Sequence, residues 1–298
     1  IFSYFLTAGA VVLDKFLISS RRIQHPAVYT FFVGLLSIFT LAIFFPFGFH
    51  SVNLADMAGM LFFGALYTFG LLALFFAFQK SEASRVVPVV GVITTLVSFL
   101  ISTTVFGDHL DWLDFGGIFL LILGGVVISI KFEKGEALRI FSDFPLAALA
   151  GIFLGIAFSF FKPFYAEDSF INVFIWTRIG VFLGAVSLLS VPSWRKKVAS
   201  AFSSFQKDKR QNAKTGIIFV ANKILGGLGS IVFNLAISLG SVAVVNALVA
   251  TEYAFVFLIG LVASLKFPDI FQEERSWRII SQKLGAIIMI GAGVWMVR

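Results

Sequence analysis

Apolar runs of about twenty residues follow one another along almost the whole chain, separated by short polar breaks. A helix that crosses a bilayer needs about 20 mostly apolar residues, so this pattern constrains the fold more than any single motif does. The runs fall near 1–19, 27–47, 54–79, 84–106, 113–130, 144–164, 170–192, 215–239, 241–265 and 279–297, which predicts ten spans. With 59% hydrophobic and 13% charged residues, the chain has too little polar surface for a water-soluble domain, where about a quarter of residues are charged. Helices satisfy every backbone group internally, as the hydrocarbon demands. The expected class is therefore an all-α membrane protein with ten transmembrane helices. Trp112, Trp194, Trp277 and Trp295 fall at span ends, the level that amphipathic rings prefer.

The basic residues are distributed unevenly. Eighteen Lys and Arg lie in or beside the connections after spans 1, 3, 5, 7 and 9, among them Arg21, Lys80, Arg85, Lys131, Arg195 and Lys283. The connections after spans 2, 4, 6 and 8 hold none. Positive loops stay in the cytoplasm, so the charge rule puts both termini outside and the 193–214 segment inside as a solvated connector. The net charge of +7 follows from this topology and does not argue for nucleic acid. With no cysteine, disulfides and thiolate metal sites are excluded. His25, His50 and His109 lie far apart in or beside loops, which argues against a metal centre. HExxH and Gly-rich phosphate-loop motifs are absent. Neither an enzyme nor a cofactor is expected.

The two halves resemble each other. FAFQKSEASRVVPVVGVITTLVSFL (76–100) overlays FNLAISLGSVAVVNALVATEYAFVF (233–257) at an offset of 157. Phe76 meets Phe233, Ser81 meets Ser238, Ser84 meets Ser241 and Thr94 meets Thr251. The first helix of each half carries a lysine, Lys15 or Lys162, and the last is glycine-rich. The expected units are 1–139 and 140–298. With five spans each, an odd number, the second must enter the membrane inverted. Inverted repeats are a recurring plan of secondary transporters, with the substrate site near the midplane between them.

The motifs LDKFLIS around Lys15, FFAFQKSEASRVVPV and FGDHLDWLDFGGIFLLILGGVVIS, with the five-plus-five layout, resemble the EamA-type proteins of the drug/metabolite transporter superfamily over nearly the whole chain. The resemblance implies a secondary transporter or exporter of small metabolites. It also implies a central cavity lined by helices 3, 4, 8 and 9, around which helices 1, 2, 6 and 7 move. Members are commonly drawn with both termini in the cytoplasm, the reverse of the charge rule here.

The candidate site residues are polar groups deep within spans. Ser84, Pro88, Gly91, Thr95, Ser98 and Ser102 recur at spacings of four and three, which puts them on one helix face. Such a stripe is either a tight helix seam or a polar cavity wall. At the offset of 157, Thr95 corresponds to Glu252, the carboxylate of an otherwise apolar ninth span. An intramembrane carboxylate costs roughly 2.5–3.5 kcal/mol on insertion scales, so it faces a cavity or a partner. Glu252 is the candidate for proton coupling, against a structural ion pair with Lys223 or Arg178. Arg178 and Lys223 lie about eight residues inside their helices, too deep to snorkel easily. Lys223, Gly227, Ser230 and Asn234 share a face. Two deep cations against one anion favour an anionic or zwitterionic substrate. Asn246, Tyr253 and Tyr67 add hydrogen-bonding and aromatic capacity, and Lys15 and Lys162 are candidate gates.

The expected function is secondary active transport of a small polar metabolite by alternating access, with proton coupling one mode open to it. The partners are that small molecule and the lipid bilayer, the working unit is a monomer, and the location is the cell (inner) membrane. A flippase for a lipid-linked substrate and a non-transporting membrane scaffold are the alternatives.

Overall fold

A computed structural model of the chain describes residues 1–20, 25–79, 81–107, 112–131, 139–207, 209–239, 249–271 and 276–296. The helices are α1 (Phe2–Ser19), α2 (Pro26–Ser37), α3 (Phe39–Phe44), α4 (Leu54–Phe78), α5 (Ala83–Val105), α6 (Trp112–Ser129), α7 (Phe144–Glu167), α8 (Phe170–Ser187), α9 (Pro192–Lys207), α10 (Lys209–Leu239), α11 (Val249–Lys266), α12 (Pro268–Phe271) and α13 (Trp277–Met296). The described β-structure is one antiparallel pair, β1 (Ile130–Lys131) and β2 (Arg139–Ile140), which ties the end of α6 to the approach to α7. Among the described residues, nine helices are long and apolar enough to cross a membrane. The protein is an all-α, multi-pass integral membrane protein. Trp112, Trp277 and Trp295 are all well exposed at helix ends, as interfacial rings are.

The long helices pack as neighbours in the order α2, α8, α4, α7, α5, α6, α13, α11, α1, α10. The closest approaches are made by glycine, because dispersion at short range is the main force between helices already in lipid. A Cβ on Gly180 of α8 would lie 2.9 Å from the Cα of Leu61 and 3.0 Å from that of Gly64 in α4. One on Gly184 would lie 2.8 Å from the Cα of Ala65. Gly151 and Gly155 of α7 meet α5 in the same way, and Gly124 of α6 and Gly293 of α13 meet each other's helices.

Three sequence expectations are corrected. The second apolar run is interrupted: α2 stops at Ser37, and α3 and a 3₁₀ turn (Phe45–Phe47) continue it. The 193–214 connector is helical, as α9 and the first turn of α10. Val198 of α9 is buried against Val28 and Phe31 of α2, with Ala201 beside it, while Arg195, Lys196 and Lys197 are exposed. Trp194, Val198, Ala201 and Phe202 recur at helical spacing, the pattern of a helix lying in the membrane interface. Finally, Arg85 and Lys283 are not connector charges, because both are 0% exposed.

Their burial is part of a polar cap that closes one end of the bundle. Glu82 accepts from Arg85 Nε at 2.7 Å and from Lys283 Nζ at 2.8 Å. Lys283 also donates to Ser84. Arg85 Nη1 donates to the carbonyls of Ile128 and Ile130, and Gln282 to those of Val127 and Ile130. Ser81 donates to Asp143. Burial alone would raise the Glu82 pKa, but Lys283 and then Arg85 outweigh it and hold the carboxyl below its ordinary range. The helix C-termini gathered here expose carbonyls without intrahelical partners, and the cationic side chains satisfy them. At the other end, Asn172 and Asp168 contact His50, and Trp176 donates to the His50 carbonyl.

Candidate functional site

The deep charges separate into two groups. The first is centred on Asp14, in the last third of α1. Lys223 Nζ lies 2.6 Å from Asp14 Oδ1. Asn222 Nδ2 and the Tyr29 hydroxyl donate to the same oxygen. One carboxylate thereby joins α1, α2 and α10. The Lys223 ammonium also faces the rings of Tyr29, Phe75 and Phe219 at 5.0, 5.7 and 5.7 Å, a favourable cation–π environment. Asn222 is fully buried, and its Oδ1 has no hydrogen-bond partner among the described residues. Residues 14 and 15 are neighbours on a helix and point about 100° apart, so Lys15 serves a different contact. Its ammonium donates to the carbonyls of Phe78 and Ser81, with Ser19 also donating to Phe78. The C-terminal third of α1 is thus fastened to α2, α4 and α10 at once.

The second group surrounds Arg178, ninth of the 18 residues of α8 and so near mid-span. Its guanidinium carbon lies 4.5 Å from the centroid of Phe174 and 5.9 Å from that of Tyr67. Its Nη2 donates to Ser230 Oγ at 3.1 Å. A guanidinium carries five N–H donors in a planar fork. Among the described residues Ser230 is the one hydrogen-bond acceptor that Arg178 meets, and no carboxylate lies within ion-pair distance. A cation held by aromatic faces, with most donors unused, is suited to binding a carboxylate or phosphate in bidentate fashion. Gly227 lies between Lys223 and Ser230 on the same face of α10, and no described residue stands within 4 Å of where its Cβ would be. The two cationic groups are therefore spaced along one open helix face, Lys223 and Ser230 being about 10 Å apart at 1.5 Å per residue.

Glu252, on α11, lies three residues before Phe255, which packs edge-on against Phe5 of α1. It is partly exposed, and no hydrogen bond or ion pair joins it to another described residue. Neither Lys223 nor Arg178 is its ion-pair partner, and the acid that neutralises Lys223 is Asp14. Asp14 carries the same sequence signal as Glu252, a carboxylate in an apolar span, and it lies outside the candidate set.

The fourth-span stripe serves mainly as a seam. Tyr253 is buried with its hydroxyl against Gly91, where any side chain would overlap it. Thr95 donates to the Gly91 carbonyl of its own helix, and Ser98 to the Gly155 carbonyl of α7. Tyr67 stands at the Arg178 site. Lys162 is exposed on α7 beside Pro163, so it is not placed like the buried Lys15. Asn246 and the side chain of Asn234 lie outside the described residues. An apolar cleft of about 190 Å³ lies between α5, α6 and α7, lined by residues such as Val89, Val92, Leu96 and Val126. It holds none of the candidate residues. Among the described residues, no group of three His, Asp or Glu is placed to hold a metal ion.

No family model and no curated protein matches the chain. Among solved structures, one protein of known crystal structure matches it along nearly the full length of both. The match covers 98% of this chain and 97% of that one, with a TM-score of 0.53 and 16% sequence identity. At that identity the match speaks for a shared fold alone.

Proposed function

We propose that the protein is a secondary active transporter of a small polar metabolite bearing a carboxylate or phosphate, working by alternating access between two inverted five-helix repeats. The observation that carries this reading is Arg178, a guanidinium at mid-span with one hydrogen-bond acceptor among the described residues. A cation so placed has an energetic reason to exist only if something anionic visits it, because intramembrane charges that serve structure are paired. Glu252 is the coupling candidate, and the Asp14–Lys223 pair is the element that fastens α1 between cycles.

Helix packing supports the repeat. Exchanging α1 with α7, α2 with α8, α4 with α10, α5 with α11 and α6 with α13 carries the α1–α10 contact onto α7–α4. It carries α1–α11 onto α7–α5 and α5–α6 onto α11–α13, and leaves α2–α8, α5–α11 and α6–α13 in place. The resemblance to EamA-type transporters points the same way. On the charge rule, the polar cap faces the cytoplasm of an inner-membrane protein with both termini outside.

The test is solute exchange in liposomes containing the purified protein, over a panel of amino acids, organic anions and phosphorylated compounds. The reading expects at least one solute to exchange, and expects Arg178→Gln to abolish that exchange while Arg178→Lys retains part of it. A panel with no exchange and no thermal stabilisation of the protein would overturn it.

A further inference from the structure

Among the described residues, α2 and α10, the two ends of the neighbour order, share no interface of the size that joins the other neighbours. Every other adjacent pair packs along an extended interface, including α4–α8, the counterpart of α2–α10 under the repeat exchange. Among the described residues, the ring contacts between α2 and α10 lie on the side of the polar cap. There the rings of Tyr29 and Phe32 stand 5.1 and 6.4 Å from that of Phe219, and the Asp14 group lies just beyond. Further along α10, past Lys223, no aromatic ring pair among the described residues joins it to α2 or α3. The break at Ser37 explains this, because it carries α3 onto α8 and away from α10. Gly227 faces the resulting gap with open space around it. Arg178 reaches Ser230 across it. Its flanks are apolar and exposed: Ile224 and Leu228 on α10, Phe39 and Ile43 on α3.

Resting on the transporter reading above, we infer that this gap is a lateral portal and that the anionic substrate also carries an apolar chain, which narrows it to an amphiphilic anion. Its carboxylate or phosphate binds the Arg178 guanidinium, and its hydrocarbon chain lies between α3 and α10 toward the lipid. The charge is complementary, since Arg178 faces the gap with donors to spare. The shape is complementary too. An opening in the side of the bundle, walled by aliphatic and aromatic side chains, favours a ligand with an apolar tail over one dissolved in water. The polar cap closes the bundle at the Lys- and Arg-rich end, which leaves the gap as a side entrance to Arg178.

The chain has no cysteine, so Gly227→Cys introduces a unique thiol at the portal, at a position with room for it. The protein is placed in phosphatidylcholine nanodiscs, and labelling by a membrane-partitioning pyrene maleimide is compared with labelling by a sulfonated, impermeant maleimide. The portal predicts faster labelling by the pyrene reagent. It predicts that dodecyl phosphate slows labelling about ten-fold, the effect of a ligand at roughly nine times its Kd. Dodecanol and inorganic phosphate should have little effect, and Arg178→Gln should remove the protection. Leu228→Cys, on the flank, gives the same comparison if Gly227→Cys does not fold. Equal protection by inorganic phosphate, or faster labelling by the sulfonated reagent, means an aqueous vestibule: the portal falls and the transporter reading stands. Equal protection by dodecanol makes the site a nonspecific apolar groove and overturns the portal. If neither dodecyl phosphate nor inorganic phosphate protects in an Arg178-dependent way, both readings fall.

Discussion

Replacing Asp14 by alanine should be among the most damaging single changes in this protein. The substitution strands three donors at once: the Lys223 ammonium at 2.6 Å, the Asn222 amide and the Tyr29 hydroxyl. The Asp14 and Lys223 side chains are 12% and 18% exposed, so water offers little compensation. Removing one partner of a buried pair costs about 3–5 kcal/mol. At roughly 2 °C per kcal/mol for a chain of this size, thermal unfolding in detergent should fall by about 6–10 °C. Asp14→Asn keeps an acceptor and should lose less. The decisive comparison is the double variant Asp14→Ala with Lys223→Met. It removes the orphaned charge and leaves an unbranched apolar side chain among Tyr29, Phe75 and Phe219, a setting that suits methionine. The double variant should melt well above Asp14→Ala alone. If the single variant shifts the melting temperature by less than about 2 °C, equivalent to about 1 kcal/mol, or if the double variant melts no higher, Asp14 is not the hub described here.

Three further outcomes are expected. Gly180→Ala should lower the melting temperature by about 2–6 °C, because its Cβ meets the backbone of α4, which cannot move aside, and such overpacking costs about 1–3 kcal/mol; an unchanged melting curve would contradict the α4–α8 packing. Glu82 has a folded pKa below its ordinary value of 4.5, so its ionised form stabilises the fold above that pH, and the contribution is lost as pH falls below it. The gap between wild type and Glu82→Gln in melting temperature should therefore be constant near neutrality and close in acid, and a gap that widens in acid would refute the assignment. Glu252→Gln should abolish gradient-driven transport in liposomes while leaving solute exchange, whereas a membrane scaffold would lose stability alone.

How far the fold was legible follows from where lipid acts as the solvent. Apolar run length is a strong signal, and the spans leading to α4, α5, α7 and α8 begin within a residue or two of the structure. It fails where a helix bends without a polar break. Ser37 lies in an apolar run, and nothing local announces that the helix stops there. It also fails where a helix is only half apolar. Residues 193–207 are rich in Lys and Arg, and that charge masks the periodic Trp194, Val198, Ala201 and Phe202. The site was half legible. Arg178, Lys223 and Tyr67 stood out as polar or aromatic groups deep in spans, and the first two do organise the polar interior. Which acid each cation meets was not legible, because ion pairing depends on the rotation of helices about their axes, and sequence spacing fixes faces only within one helix. Asp14 and Lys223 are 209 residues apart. In the sequence Arg85 and Lys283 look like topology signals, because residues at a span end are exposed on average, yet the gathered helix ends bury both.

The most direct test of a mid-span anion site is ligand-induced stabilisation of wild type beside Arg178→Gln. A ligand present at 100 times its Kd stabilises the folded state by about 2.7 kcal/mol, which corresponds to about 5 °C here at roughly 2 °C per kcal/mol. The account predicts that at least one carboxylate or phosphate compound raises the wild-type melting temperature by that order, that neutral analogues of the same size do not, and that Arg178→Gln, itself folded, loses the shift. A stabilising compound whose effect survives Arg178→Gln would contradict it.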